Sequence, residues 1–423
     1  MSDRNNQAVT DVDDELVLSM SIGLGGWLAL AGGIGSVWVV RTLTIHFALT
    51  RRQILHSDSY AGPPDNPPRV SVVVAAKDEE QDIDACVRTL LRQDYPDFEI
   101  IAVNDRSSDR TPQILERLQH ESDGRLRVVT ITALADGWFG KSNAMRAGVE
   151  ASSGDWLWFT DADCRHTSTK TLSMAMSEAL AHKVDFLSVI PVLEANTAWQ
   201  RIVQPVCALV LLTWFLPEKV NHPLRTTAYA NGAFMLISRW CYEALGGHER
   251  VRAKINEDIH LARTAKQMGL KLRVVENDDL YRTRMYRSAR ETWHGWSRIF
   301  FGCLETVPRL AAAACLVTLF AIVPWVSLAA AIAGRLLSPA EAASTWDLCA
   351  VAWACVIVPQ QIVVWRFYNV VRVSPWWSVT YGLGAVLTLG ILLNAILKAA
   401  GAATTTWRGT TYRADRVVDT SPP

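Results

Sequence analysis

Apolar positions along this chain fall into three patterns. The first is the long uncharged run: 25 residues lie between Glu15 and Arg41 without a charged side chain, and the same number separates Arg309 from Arg335 and Arg372 from Lys398. At about 1.5 Å per helical residue each run can cross a hydrocarbon core, so 16–40, 310–334 and 373–397 are expected to be transmembrane helices. A fourth stretch, 348–365, is 18 residues long and carries Pro359, Gln360 and Gln361. It reads as either a transmembrane segment of marginal length or a re-entrant one.

The second pattern is an alternation of short apolar runs with amphipathic ones, introduced by the proline-rich linker 62–68. Residues 70–75 form a β-branched run, and Ile83, Cys86, Val87, Leu90 and Leu91 then recur at the spacing of one helical face. Strands over 99–103 and 126–130 and helices over 111–118 and 142–151 continue the alternation. Apolar strands separated by amphipathic helices imply an α/β domain, a mostly parallel sheet with helices on both faces that binds ligands at the carboxyl ends of its strands. The expected order is a tail over 1–15, the anchor at 16–40, a juxtamembrane linker over 41–69, this domain over 70–300, the later apolar segments, and a tail over 398–423.

The third pattern is a run of 16 uncharged residues between Arg201 and Glu218, interrupted by Pro205. It is short for a membrane span, and two readings stand: an interfacial helix that lowers the domain onto a bilayer, or a buried core helix.

Charge adds orientation. Lys plus Arg and Asp plus Glu are equal at 42 each while half the residues are hydrophobic, so an ordinary soluble core coexists with surplus apolar sequence, and no nucleic-acid partner is expected. Asp11, Asp13, Asp14 and Glu15 precede the first long run and Arg41, Arg51 and Arg52 follow it. The positive-inside bias then places the following domain in the cytoplasm, on a multi-pass protein of the plasma (inner) membrane. No basic region leads the run and it is too long for a signal core, so it is read as an anchor that stays. Three further crossings would put Lys398, Arg408, Arg413 and Arg416 outside, which favours the re-entrant reading of 348–365. The eight cysteines show no paired metal spacing and suit a reducing cytosol.

The candidate chemistry sits at the strand ends. Residues 155–163 alternate apolar positions and finish in Asp161 and Asp163, separated by Ala162. Such a pair holds a hard divalent cation against a diphosphate, or merely forms a turn or helix cap. Glu79 follows the first strand and Asp105 the second, as base or ribose ligands or as solvated loop acids; Asp109 and Thr111 are expected to cap the next helix. Lys141, after Gly140 at a helix start, suits a diphosphate, or is an exposed loop lysine. Glu257 and Asp258 begin a helix with Ile259, Leu261, Ala262 and Ala265 on its apolar face, where the helix dipole alone explains acids.

In order, Asn104, Asp105, Ser107, Asp109 and Thr111, then Thr160 to Asp163, then Asn256, Glu257 and Asp258 resemble the motifs of family 2 glycosyltransferases with the GT-A fold, a Rossmann-like α/β arrangement. The resemblance covers about residues 70–300 and implies transfer of a sugar from a nucleotide-diphosphate donor, with a preference for UDP-sugars and with inversion. It implies Glu79 and Asp105 at the nucleoside, Asp161 at ribose or diphosphate, Lys141 at the diphosphate, and Asp163 on the cofactor, Mg²⁺ or Mn²⁺. Asp258 is then the general base and Glu257 its partner toward the acceptor. Arg284, Arg287, Trp293 and Trp296 are candidates for the acceptor or the leaving diphosphate, with the tryptophans suited to the headgroup zone. The Gln-x-x-Arg-Trp motif of processive synthases is missing as such. The anchor, the 286–296 element and the closing Trp407 to Tyr412 are similar to membrane members that decorate carotenoids, hopanoids or ceramide. The runners-up are transfer to a polyprenyl phosphate and a non-catalytic nucleotide-sugar-binding membrane scaffold.

Overall fold

The computed structural model describes residues 3–407, 410–413 and 416–419, with the backbone alone for 3–23, 48 and those beyond 404. Two compact units are present, Met1–Arg51 with Ala314–Leu389, and Arg52–Ala313 with Gly390–Pro423. The chain opens with helix α1 (Asp3–Thr50) and enters the second unit at strand β1 (Ile54–Leu55). There follow β2 (Val70–Ala76), α2 (Ile83–Leu91), β3 (Phe98–Asp105), α3 (Thr111–Glu121), β4 (Leu126–Ile131), α4 (Gly140–Glu150) and β5 (Trp156–Asp161). Then come β6 (Cys164–Arg165), α5 (Thr171–His182), β7 (Phe186–Ile190), β8 (Val192–Leu193), α6 (Ala198–Trp214), β9 (Met235–Ser238), α7 (Glu257–Gln267), β10 (Leu272–Asn277), β11 (Arg282–Thr283) and α8 (Ala289–Leu304).

Eight strands form one sheet in the order β1-β10-β7-β9-β5-β2-β3-β4. All neighbours pair in parallel except β9, which is antiparallel to both β5 and β7. The central strands are largely apolar on both faces because both faces are covered. Val72 and Val74 enter a core with Ile83, Leu90 and Trp158 on one face, while Val73 enters another with Met145, Phe159 and Leu261. Register fixes where the acids emerge: Ala75 lies opposite Asp161 on β5, and Ala76 opposite Asn104 on β3, so Asp105 and Asp161 leave the sheet on either side of β2. β9 reverses direction, and its leading turn, Asn231-Gly232, therefore arrives at the same edge.

α6 is capped by a Thr197/Gln200 box and buries Val203, Val206, Cys207 and Val210, while Leu211, Leu212 and Trp214 on its other side are half-buried.

In the other unit the anchor lies within a single 48-residue helix, α1. The expected 310–334 span lies within α9 (Val307–Val317), a π-helical turn at Thr318–Ile322, and α10 (Val323–Leu337); α11 (Ala343–Val370) and α12 (Tyr381–Ala399) follow. Among the described residues five stretches are helical, long and apolar enough to cross a membrane: Leu24–Phe47, Ala198–Asn221, Val307–Leu337, Ala340–Val370 and Pro375–Ala399.

Residues 348–365, read as a transmembrane or re-entrant segment, lie inside the unbroken 28-residue α11. The glutamine that suggested a break has another task. Pro324 has no N–H to give the Phe320 carbonyl, and that orphaned oxygen accepts from Gln360 Nε2 at 2.7 Å and Trp38 Nε1 at 3.2 Å. Gln360 thus satisfies the backbone of a neighbouring helix.

Candidate active site

Lys141 is at the centre of the strand-end cluster. It stands in the first turn of α4, and its Nζ lies 2.8 Å from Asp161 Oδ1 and 2.8 Å from Glu257 Oε1. Burial opposes its charge, but Asp161, Glu257 and Asp258 outweigh that and hold its pKa well above the ordinary lysine value. Asp258 lies beside this bridge at the start of α7, where its Oδ1 accepts from the Ile259 N–H at 2.7 Å and its Oδ2 from the Gly232 N–H at 2.8 Å. Burial and then the Glu257 charge push the Asp258 carboxyl up to about 7, against the pull of Lys141 and the two amides.

Asp163 follows β5 by two residues. Thr283 Oγ1 donates to its Oδ1 at 3.0 Å, and the Arg284 N–H to its carbonyl at 3.2 Å. Burial and the neighbouring Asp161 raise its carboxyl to about 7, with Thr283 and Lys141 opposing. Asp163 and Asp258 thus share the field of one ammonium group.

Glu79 and Asp105, the candidates for the nucleoside, occupy the adjoining loops. Asp105 is buried and takes a bidentate bond from Arg106, Nε at 2.7 Å and Nη2 at 2.9 Å. The loop carrying Glu79 is stitched to the loop after β3: the Glu79 N–H donates to Thr111 Oγ1 at 2.8 Å, the Glu80 N–H to Asp109 Oδ2 at 3.0 Å, and the Ser108 N–H to Asp78 Oδ1 at 2.8 Å. Asp109 also accepts from the Thr111 N–H at 2.9 Å, but the residue in the cap position of α3 is Arg110, which makes no side-chain cap bond. Close packing ties these loops to the lysine: a Cβ at Gly140 would fall 2.7 Å from Asp105 Oδ2.

Trp296 is buried, packed against Phe300, rather than set for a headgroup zone. Arg284 is held by Glu194 at 2.8 Å and Arg287 by Asp82, each in an ion pair with an acid far away in sequence. Trp293 is half-buried, its ring lying over Gly390. Arg408 and Gly409 of the closing 407–412 element lie outside the described residues.

Gly232, Thr283, Asp82 and Glu194 escaped the sequence reading. Only Gly232 carried a signal, as half of an Asn-Gly turn pair before an apolar strand. A Cβ there would fall 2.8 Å from Lys141 Nζ and 3.3 Å from Asp258 Oδ2. Gly232→Ala is therefore expected to push the ammonium off its bridge and lower affinity for a nucleotide diphosphate about tenfold. The flexible lysine end yields cheaply, so unfolding free energy should fall by no more than about 1 kcal/mol, the low end for overpacking. Calorimetric titration alongside thermal melts would check both.

Residues 71–239 match the model of the Glycosyl transferase family 2. The chain carries a domain of this family. Its glycosyl transferase domain is 38% identical over 107 residues to the beta-monoglucosyldiacylglycerol synthase of Trichormus variabilis, a match spanning 25% of this chain and 22% of that protein. It is 29% identical over 117 residues to the GalNAc(5)-diNAcBac-PP-undecaprenol beta-1,3-glucosyltransferase of Campylobacter jejuni, spanning 27% of this chain and 37% of that one. The chain thus spans well under half of these relatives' lengths. Among solved structures, a mannosyltransferase from Pyrobaculum calidifontis in complex with GDP-Man and Mn²⁺ superposes with a TM-score of 0.52 at 19% identity, covering 88% of this chain and 99% of that one. That likeness agrees with the GT-A fold of the glycosyl transferase domain. The matched segment ends before Glu257 and Asp258, whose placement rests on the geometry above.

Proposed function

We propose that this protein is an inverting hexosyltransferase that moves a sugar from a nucleotide-diphosphate donor, a UDP-sugar for preference, to a hydroxyl of a membrane lipid. The observation that carries the reading is Asp258: a carboxylate beside a lysine-bridged acid pair, at the edge where a parallel sheet binds ligands. The acceptor oxygen attacks the anomeric carbon, the bond from that carbon to the diphosphate oxygen breaks, and the hydroxyl proton passes to Asp258. Lys141 meets the negative charge that develops on the departing diphosphate, while Glu257 fixes the lysine. Glu79 and Asp105 serve the nucleoside, and Asp161 the ribose or diphosphate.

Asp161 and Asp163 fit a divalent cation, Mg²⁺ or Mn²⁺: both offer hard oxygens, and Asp163 is a carboxylate whose charge burial and Asp161 oppose. Among the described residues no group of three or more His, Cys, Asp or Glu is disposed to hold a metal alone, so donor phosphates or water would complete the shell. When bound, the ion would add positive charge at the diphosphate.

A lipid acceptor is supported by five apolar helices and by the diacylglycerol-glucosylating name of the Trichormus relative; a carotenoid, hopanoid or sphingolipid hydroxyl has the required chemistry. The undecaprenol-linked substrate in the name of the Campylobacter relative favours a polyprenyl-phosphate carrier as the second reading. We place the protein in the plasma membrane with the catalytic domain cytoplasmic, on the charge bias around the first helix. Purified full-length protein incubated with Mn²⁺, a panel of nucleotide sugars and extracted lipids is expected to yield a labelled neutral lipid. Label on a polyprenyl phosphate would favour the second reading, and donor binding without turnover would leave only a scaffold.

A further inference from the structure

Asp82 stands in the cap position of helix α2, yet its side chain makes no capping bond. An aspartate there ordinarily accepts from the amides of the first helical turn. Here the carboxylate turns away instead. Its Oδ2 accepts from Arg287 Nη2, just before α8, while Oδ1 is buried without a hydrogen bond on a residue only 6% exposed. Arg165 Nη2 lies 3.7 Å from that oxygen, within Coulomb range but beyond hydrogen-bonding distance. Among the described residues this is the only contact of the Arg165 guanidinium with an acid. A buried carboxylate oxygen left unpaired is costly, so its place beside an unsatisfied donor marks where a ligand can complete the bonding. Two ties set these residues against the acidic turn after β5. Cys86, one turn into α2, has its Sγ 3.6 Å from the Asp161 carbonyl, and Arg165 follows Asp163 by two residues at the end of β6.

We propose that Asp82 and Arg165 bind a hydroxyl of the donor's hexose ring, with Arg287 holding Asp82 in place. The inference rests on the sugar-transfer reading and names residues that would recognise the sugar. The class of ligand follows from the bonds still to be made. An acceptor oxygen and an N–H donor face each other across 3.7 Å. A hydroxyl matches both, giving its proton to Asp82 Oδ1 while its own oxygen accepts from Arg165. A phosphate suits the guanidinium but repels the carboxylate, and a metal cation would meet the charges of Arg165 and Arg287. The donor's hexose brings neutral hydroxyls to this place. It hangs from the diphosphate that the proposed function sets at Asp163, and two residues of strand span roughly 7 Å, about the breadth of a hexose. A hydrogen bond to a carboxylate also discriminates between sugars, because an epimer that points its hydroxyl elsewhere leaves the buried oxygen unpaired.

The test is calorimetric titration of the full-length protein, in Mn²⁺, with UDP and with whichever of UDP-glucose, UDP-galactose and UDP-N-acetylglucosamine wild type binds tightest. Asp82→Asn keeps the shape of the side chain and an oxygen for Arg287, and Arg165 is half-buried, so Asp82→Asn and Arg165→Gln should melt close to wild type. Asp82→Asn should weaken the UDP-hexose about tenfold, the worth of a hydrogen bond to a charged group, and Arg165→Gln about fivefold, while UDP stays within about twofold in both. A merely structural role would not separate the two ligands. Unchanged UDP-hexose affinity in Asp82→Asn overturns the proposal and leaves the oxygen to a bound water. Equal losses for UDP and UDP-hexose overturn it as well, and so does a loss confined to the KM of the lipid acceptor, which would move the hydroxyl to that molecule. Wild type that binds none of these nucleotides overturns the UDP-sugar reading itself, and the inference falls with it.

Discussion

Asp258→Asn is expected to reduce kcat by about 10²- to 10⁴-fold, the worth of a positioned general base, while leaving the affinity for a nucleotide diphosphate within about twofold. The amide oxygen can still accept the Gly232 N–H, and the charges that fix Lys141, on Asp161 and Glu257, are untouched. What disappears is a lone pair basic enough to take a proton. Because the Asp258 carboxyl is raised to about 7 rather than left near 3.8, wild-type turnover should rise through that pH and level off above it, falling about tenfold per unit on the acid side. The sign follows from the role: the base works only unprotonated, and a raised pKa delays deprotonation to higher pH. Stopped assays with labelled donor across pH 5–9 would measure both effects. Turnover preserved in Asp258→Asn, or a profile flat through 7, would move the base role elsewhere.

The α/β core was legible because a parallel sheet buried on both faces leaves a signal that is local. Val70 to Ala75, the apolar run after Phe98 and the Ile83-to-Leu90 stripe each state their structure within a few residues. The acids at strand ends were legible for the same reason, since a buried strand that stops at a carboxylate marks an edge. Features that depend on a distant partner were hidden. Gln360 looked like a break in a span until the Phe320 carbonyl, orphaned by Pro324, appeared 40 positions away in sequence. The ion pairs of Arg284 and Arg287 were hidden because Glu194 and Asp82 lie about 90 and 205 residues distant. Trp296 looked interfacial because a tryptophan among arginines carries no mark of what packs on it. Gly232 was missed because β9 runs against its neighbours, and only that reversal brings its turn to the catalytic edge.

Asp163→Asn should have the second large effect, and it should be confined to donor binding. The substitution keeps the shape of the side chain and lets Thr283 Oγ1 go on donating to the same oxygen, so the β5–β6 turn and its tie to β11 remain. It removes a charge from a place where burial and Asp161 already oppose one, so the fold loses nothing and the melting temperature should not fall. The loss falls instead on the cation. Asp161 gives one oxygen to Lys141, so Asp163 carries the larger part of the hold on a divalent ion against the diphosphate. Wild-type affinity for the donor diphosphate is expected to improve at least about tenfold, the equivalent of 1.4 kcal/mol, when Mn²⁺ is added, whereas Asp163→Asn should bind weakly and equally with or without it. Calorimetric titrations with Mn²⁺, Mg²⁺ or a chelator would measure this. If the variant kept its response to the cation, the ion would have to sit elsewhere, and Asp163 would be left as a turn residue held by Thr283.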